Sequence, residues 1–309
     1  MKRMVSFLLA SCFTQLVFSQ CLSSVNPVGG TSNLLALPSK TLRVISFYKF
    51  NYGNRYFEKS KPSDFDLIES ASYNYLGAIL GYGITSGLTL ETETGYFINK
   101  TQHYDIDPAR KVRGYGFSSF VVSARYGIYT NNQRRIYYSV SAGLKIPSSF
   151  KYQIADGVEL PEEVQSSIGA YGMVIQSFMV KEYPLRGLRF FLTNRFETNR
   201  VNHKDFKLGN AFYTSLYISK HLMFQWLKGD WTTILQIRNE IRAMNTRYGE
   251  AIEASGGIVF FLSPQINYSI KETWNISVMG DLPVYQYLNG IQLGTQFGFT
   301  FGISRDIDF

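Results

Sequence analysis

The stretch Gln296-Phe297-Gly298-Phe299-Thr300-Phe301-Gly302-Ile303 alternates without a break. Phe297, Phe299, Phe301 and Ile303 fall on one face, and Gln296, Gly298, Thr300 and Gly302 on the other. A period of two belongs to a strand with two unlike faces, since a helix would repeat at three and four. Counting on in twos reaches Arg305, Ile307 and Phe309, so the aromatic at the end is in phase with the apolar row.

The same unit recurs upstream. In the second segment Tyr73, Tyr75, Gly77, Ile79 and Gly81 share a face. In the fifth, Ile136, Tyr138, Val140, Ala142, Leu144 and Ile146 oppose Tyr137, Ser139, Ser141, Gly143 and Lys145. In the seventh, Leu188, Phe190, Leu192 and Phe196 oppose Arg189, Thr193, Arg195 and Glu197; in the ninth, Leu235, Ile237 and Ile241 oppose Gln236, Arg238, Glu240 and Arg242. About twelve strands are expected, beginning near Thr41, Leu67, Leu88, Gly114, Arg135, Tyr171, Leu188, Gly209, Thr232, Gly256, Asn275 and Leu293.

The connectors alternate in length. Gly83–Gly87, Thr130–Arg134, Tyr183–Gly187 and Lys271–Thr273 are tight, whereas Gly53–Asp66, Phe97–Arg113, Pro147–Gly169 and Asn199–Lys207 are long and polar. Lys220–Asp230 reads as an unusually long turn containing His221. Short turns at one end and long loops at the other, around alternating segments, define an all-β, antiparallel, up-and-down transmembrane β-barrel. A secreted β-sandwich is the alternative, but its outer face would be mainly charged. Here the polar face also carries many Ser, Thr, Gly, Asn and Gln, which suits a narrow watery lumen.

Composition agrees. Of 309 residues, 16% are aromatic and only 17% charged, while mean hydropathy is −0.09. No window of about 20 apolar residues recurs, so a multi-span helical protein is excluded. The aromatic content excludes a disordered chain. The Tyr and Phe surplus reads as a lipid-facing band, with Gly, Ser and Thr in the lumen.

Residues 1–19 read as a secretory signal: Lys2 and Arg3, an apolar run from Met4 to Phe18, and Val17-Phe18-Ser19 before Gln20. Residues 20–40 form an N-terminal periplasmic or plug segment, and 41–309 the barrel. Without the signal the chain holds about 29 basic against 23 acidic side chains, too diffuse a charge for a nucleic-acid binder. Cys12 leaves with the signal, so Cys21 has no partner for a disulfide. Gln20 before it is not the small residue that lipid attachment wants, and an unpaired cysteine is the favoured reading.

With the apolar row toward lipid, the other row lines the lumen: Arg43, Lys49, Glu91, Glu93, Arg125, Lys145, Arg189, Arg195, Glu197, Arg238, Glu240, Arg242 and Asp281. Such charges tune selectivity in an open barrel. They also pair across strands and fill a narrow one, and that structural reading is favoured for each. His103 and His203 are expected in loops, with His103 near Asp105 and Asp107. No cofactor or metal motif stands out, and no His lies on a strong strand beside a Ser, which argues against an enzyme. Proline interrupts a ladder, so Pro147, Pro264 and Pro283 mark strand ends or bulges. Pro264 is expected to sit at a local bulge, the alternative being a kink that opens the wall.

The run Ser141-Ala142-Gly143-Leu144-Lys145-Ile146-Pro147 resembles a strand end of the outer-membrane family named for the MetA pathway of phenol degradation. That family is distantly related to the long-chain fatty-acid transporter barrels. Further likenesses follow in order: Tyr82-Gly83-Ile84-Thr85; Leu160-Pro161 with Val164-Gln165; Ser255-Gly256-Gly257; Pro283-Val284-Tyr285-Gln286; and Asn289-Gly290-Ile291-Gln292-Leu293. Ser149 and Ser166-Ser167 depart from the family's Gly and Pro-Gly. The resemblance implies a passive transporter of small, hydrophobic or aromatic molecules in the outer membrane of a Gram-negative bacterium. It also implies lipid and lipopolysaccharide neighbours, recognition of the strand ending at Phe309 by the assembly machinery, and an Asn26-Pro27 plug segment to set against a plain periplasmic tail. A hydrophilic, anion-leaning porin-like channel and a closed structural or adhesive barrel are the alternatives.

Overall fold

The computed structural model describes residues 36–105, 111–222, 229–270 and 273–309. The expectations for the signal, Cys21, Asn26-Pro27 and Asp107 lie outside the described residues. Twelve antiparallel strands close into a barrel: β1 Thr41–Gly53, β2 Ile68–Thr85, β3 Leu88–Tyr104, β4 Phe120–Asn131, β5 Ile136–Ile146, β6 Gly172–Tyr183, β7 Leu188–Asn199, β8 Ala211–Leu222, β9 Asp230–Arg242, β10 Gly257–Ile270, β11 Trp274–Gly294 and β12 Phe297–Asp308. Each strand pairs with the next in the chain, and β12 pairs with β1 from Thr41↔Asp308 to Tyr52↔Phe297.

The alternation read from the sequence is the wall of the barrel. Leu90, Val122, Leu144, Ile175, Leu216, Ile237, Val278, Phe299 and Phe301 are exposed large apolar side chains distributed around the outer surface. A continuous apolar exterior of this kind marks a lipid-facing surface. Tyr82, Tyr126, Tyr183 and Trp274 gather toward the short-turn end, where amphipathic rings match the membrane interface.

The strands are unequal. β2 and β3 run 18 and 17 residues, against 11 for β5 and 12 for β4, β6, β7 and β8. The wall is therefore tall around β2 and β3, where Lys111–Phe117 adds a further short strand beside upper β3. The expected long loop from Phe97 is replaced by continued strand as far as Tyr104. The fourth strand, expected from Gly114, is divided: Lys111–Phe117 pairs above, and β4 starts anew at Phe120. Gly116, at φ 121, permits that break.

β11 doubles back near its top. Trp274–Leu288 pairs with β10, whereas Ile291–Gly294 pairs with Arg55–Glu58, the continuation of β1. The reversal falls at Asn289–Gly290, with Gly290 at φ 60. Leu293, expected to open the last strand, instead packs with Tyr56, Ile68 and Ala71 before a fresh start at Phe297. Across this hairpin the Gln286 amide takes the place of a backbone ladder. It donates to the Thr295 carbonyl at 2.8 Å and accepts from the Thr295 N–H at 3.0 Å. A further external connection, 243–256, carries the short strands Thr246–Arg247 and Glu250–Ala251 and was not foreseen.

Pro264 needs no bulge. It stays in register opposite Leu235, and its missing donor falls where the β10–β11 ladder is interrupted. The register shift lies between Phe260 and Phe261, opposite Tyr285 and Pro283, so the extra residue is Val284. His103 and His221 also move from their expected loop and turn into β3 and β8.

The lumen is not only polar. Phe47, Tyr73, Tyr75 and Phe97 form one buried cluster inside the wall, and Phe178, Phe191 and Tyr217 another. Part of the aromatic surplus assigned to lipid thus fills the interior. Glycine makes room for it: a Cβ on Gly95 would lie 2.3 Å from the Tyr75 ring and 2.5 Å from the Leu76 carbonyl oxygen. Gly95→Val should destabilise the barrel by about 2 kcal/mol or more through overpacking. Gly87→Ala, where the nearest neighbour is 3.9 Å away, should be neutral. The temperature at which each purified barrel loses its compact electrophoretic mobility checks both.

Candidate functional site

Two ion clusters cross the inner face. In the first, Asp281 of β11 collects Lys49 of β1 (Nζ–Oδ2 3.6 Å), Arg238 of β9 (Nη1–Oδ1 3.1 Å) and the Ser263 hydroxyl (2.6 Å). Arg238 Nε also lies 2.8 Å from Glu240 Oε1, and its guanidinium sits 4.3 Å from the centre of the Phe261 ring. Lys49, Arg238 and Asp281 are fully buried.

In the second cluster Arg195 of β7 holds Glu93 of β3 at 2.9 Å and Glu197 at 2.7 Å. Lys145 of β5 approaches Glu197 at 3.4 Å. β3 and β7 are separated by β4, β5 and β6, so the Arg195–Glu93 pair spans the lumen rather than the wall. Beside it Arg125 pairs with Glu91 at 2.9 Å and lies 3.8 Å over the Phe178 ring. Arg43 makes a two-point contact with Asp306 at 2.7 and 2.5 Å, and Arg242 donates to the Tyr213 hydroxyl at 3.1 Å. Arg189 pairs with Glu182 at 3.2 Å. Every charged position singled out in the sequence therefore has a partner. Asp306 was missed, although its parity in the last strand already turned it inward.

Above the second cluster lies a cavity of about 240 Å³. Tyr73, Tyr75, Phe97, Phe206 and Tyr213 give it aromatic walls, and Arg195, Glu197 and Lys145 line it with their ion pairs. Its roof comes from the 147–171 connection, which contributes Glu162, Glu163 and Gln165. Gln165 organises the roof: its amide donates to the Leu160 carbonyl at 2.9 Å, and its own carbonyl accepts from Lys100 at 2.9 Å. Asn202 reaches across to the Ile168 carbonyl (2.7 Å) and the Tyr152 hydroxyl (2.8 Å), and Arg247 pairs with Glu162. Strand parity alone hides Lys100, because the register shift between Asn74 and Tyr75 gives β3 an extra residue.

Many residues that carry the family resemblance hold this external end together. Leu160, Val164 and Gln165 are buried within the roof. The Gly256 carbonyl accepts from the Gln292 amide at 2.9 Å and the Asn289 N–H at 3.2 Å, and Asn289 also donates to the Ser255 carbonyl at 3.1 Å. At the opposite mouth Leu37 is buried, with its N–H donating to Thr89 Oγ1 at 2.8 Å.

The histidines stay apart. His103 faces Ser70 and Lys111 in register, His203 lies against the Tyr152 ring, and His221 Nδ1 is 3.0 Å from Asp230. No hydrogen bond joins His103 to Ser70 among the described residues, and no three His, Cys, Asp or Glu side chains there converge as a metal site.

No family model matches the chain, and no curated protein matches it. The resemblance to the phenol-pathway family therefore rests on the quoted residues alone. Among solved structures, the COG4313 outer membrane channel from Pseudomonas putida F1 is similar, with a TM-score of 0.69 at 14% identity over 90% of this chain and 100% of that one. A NanC porin gives a TM-score of 0.48 at 11% identity, over 85% and 98%. A Pseudomonas aeruginosa FadL homologue gives 0.43 at 10%, over 87% and 90%. The likeness to the channel is one of fold. With the closed barrel and its apolar exterior, it defines an outer-membrane β-barrel of the Gram-negative kind.

Asp281→Ala would leave Lys49 and Arg238 buried beside a lost partner and should cost about 3–5 kcal/mol, read as a lower urea midpoint of unfolding in lipid. The roof should respond to pH. Burial pushes the Glu163 carboxyl up to about 7, with Glu162 adding to the rise and its own backbone N–H, Lys100 and Arg247 opposing it. The seated group thus keeps its proton at a pH where an opened loop would release it. Closure is favoured in acid and weakens as pH climbs toward and past 7. Proteolysis within 147–171 should be faster at pH 8 than at pH 5, and Glu163→Gln should flatten the difference.

Proposed function

We propose that this barrel is a passive, non-enzymatic outer-membrane transporter of small molecules, with the roofed cavity as its loading station. The observation that carries the reading is the cavity's position, aromatic on one side and resting on the ion pairs that span the lumen. Mid-lumen, Lys49, Tyr217, Gln236 and Asp281 are fully buried, so side chains fill the space through which a wide pore would run. Passage then requires the Arg195–Glu93 and Lys145–Glu197 pairs to part. The cavity's four basic and four acidic side chains give no lean toward anions, which favours a carrier of amphipathic solutes over an anion-selective porin.

The same packing gives a closed structural barrel its one specific support. Leu37, seated at the periplasmic mouth, supports a stopper role for the segment before β1. The apolar row continued by Phe309 supports recognition by the assembly machinery.

Reconstituted into planar bilayers and liposomes, the barrel should conduct ions weakly and take up small aromatic solutes saturably. Arg195→Ala should raise conductance several-fold by removing the side chain that crosses the lumen. Steady conductance with non-saturating uptake in the unmodified barrel would support the porin reading. Silence in both assays, in both proteins, would support a closed barrel.

A further inference from the structure

The charges around the cavity are unequally matched. Glu93 and Glu197 are held by Arg195, and Glu162 by Arg247. Glu163 makes no ion pair among the described residues, although it lines the same space. The cations are engaged: Lys145 approaches Glu197, Arg242 donates to Tyr213, and Lys100 donates to the Gln165 carbonyl while lying 5.0 Å from the centre of the Phe97 ring. What the cavity still offers is the Glu163 carboxyl, ionised above about pH 7 and set among aromatic faces. Ring faces attract cations, and a carboxylate makes its strongest hydrogen bonds to charged donors.

Resting on the transporter reading, we propose that the cavity takes small aromatic or aliphatic ammonium compounds, with the ammonium on Glu163 and the apolar body against Tyr73, Tyr75 and Phe97. A carboxylate-bearing solute of the same size would meet Glu163 as a like charge, and Lys100 and Arg242 would have to leave the Gln165 carbonyl and the Tyr213 hydroxyl to reach it. A neutral alcohol would keep the ring contacts and lose the ionic one. The volume suits the choice, since about 240 Å³ accommodates a single ring with a short tail but not a long acyl chain.

Phenethylamine, phenethyl alcohol and phenylacetate share a shape and differ in charge. With the full-length barrel in liposomes at pH 8, where Glu163 is ionised, uptake of the amine should exceed that of the acid by about tenfold and that of the alcohol by less, as expected for one partly desolvated charge contact. Glu163→Gln should bring amine and alcohol uptake to the same level, and Glu163→Asp should retain the amine's advantage; compact electrophoretic mobility verifies that both variants are folded. Equal uptake of all three solutes, preference for phenylacetate, or an undiminished amine preference in folded Glu163→Gln would overturn the ammonium assignment and leave transport standing. Failure of all three solutes to enter would overturn the transporter reading together with this one.

Discussion

A backbone in hydrocarbon has no water to fall back on, so each N–H and C=O on the wall must find another strand. The pairing of β12 with β1 is what makes that attainable, because it turns twelve strands with two open edges into a sheet with none. Everything else inherits from this closure. It fixes which row of each strand looks outward and sets the diameter into which the inward row must fit. It also brings Arg43 next to Asp306, some 260 residues later in the chain.

The middle of this barrel is filled, with Lys49, Tyr217, Gln236 and Asp281 fully buried inside it. The inward row answers with two chemistries: aromatic side chains seated against glycines, as Tyr75 is against Gly95, and charges arranged in mutually satisfying groups. A buried charge costs several kcal/mol unless paired, which explains why the inner face carries clusters in preference to single ions. Asp281 shows the logic. It meets two cations and a hydroxyl, so removing it would take Lys49's ion pair and leave Arg238 with Glu240 alone.

Periodicity made the wall legible. Phe297, Phe299 and Phe301 face outward as their spacing demands, and Arg238 and Glu240 face inward for the same reason. What escaped the alternation were events that break it. The extra residue in β3 reversed parity before Lys100, and Val284 carried the bulge expected at Pro264. The inward aromatics were equally hidden, because Phe47 or Tyr217 looks the same whether its face meets lipid or lumen. The cavity was hidden for a further reason: its roof is built by contacts such as Gln165 with Lys100, which join segments that no local pattern connects.

The unequal strand lengths have one more consequence. β2 and β3, with the added strand Lys111–Phe117, raise the rim on one side, while the shorter β4 to β8 leave the other side to the 147–171 loop. The mouth consequently has a front and a back. A molecule diffusing in from outside meets a parapet over one part of its approach and an awning over the other. Capture then depends on the direction of arrival as well as on charge and shape, an orientational tax that a symmetrical pore would not levy.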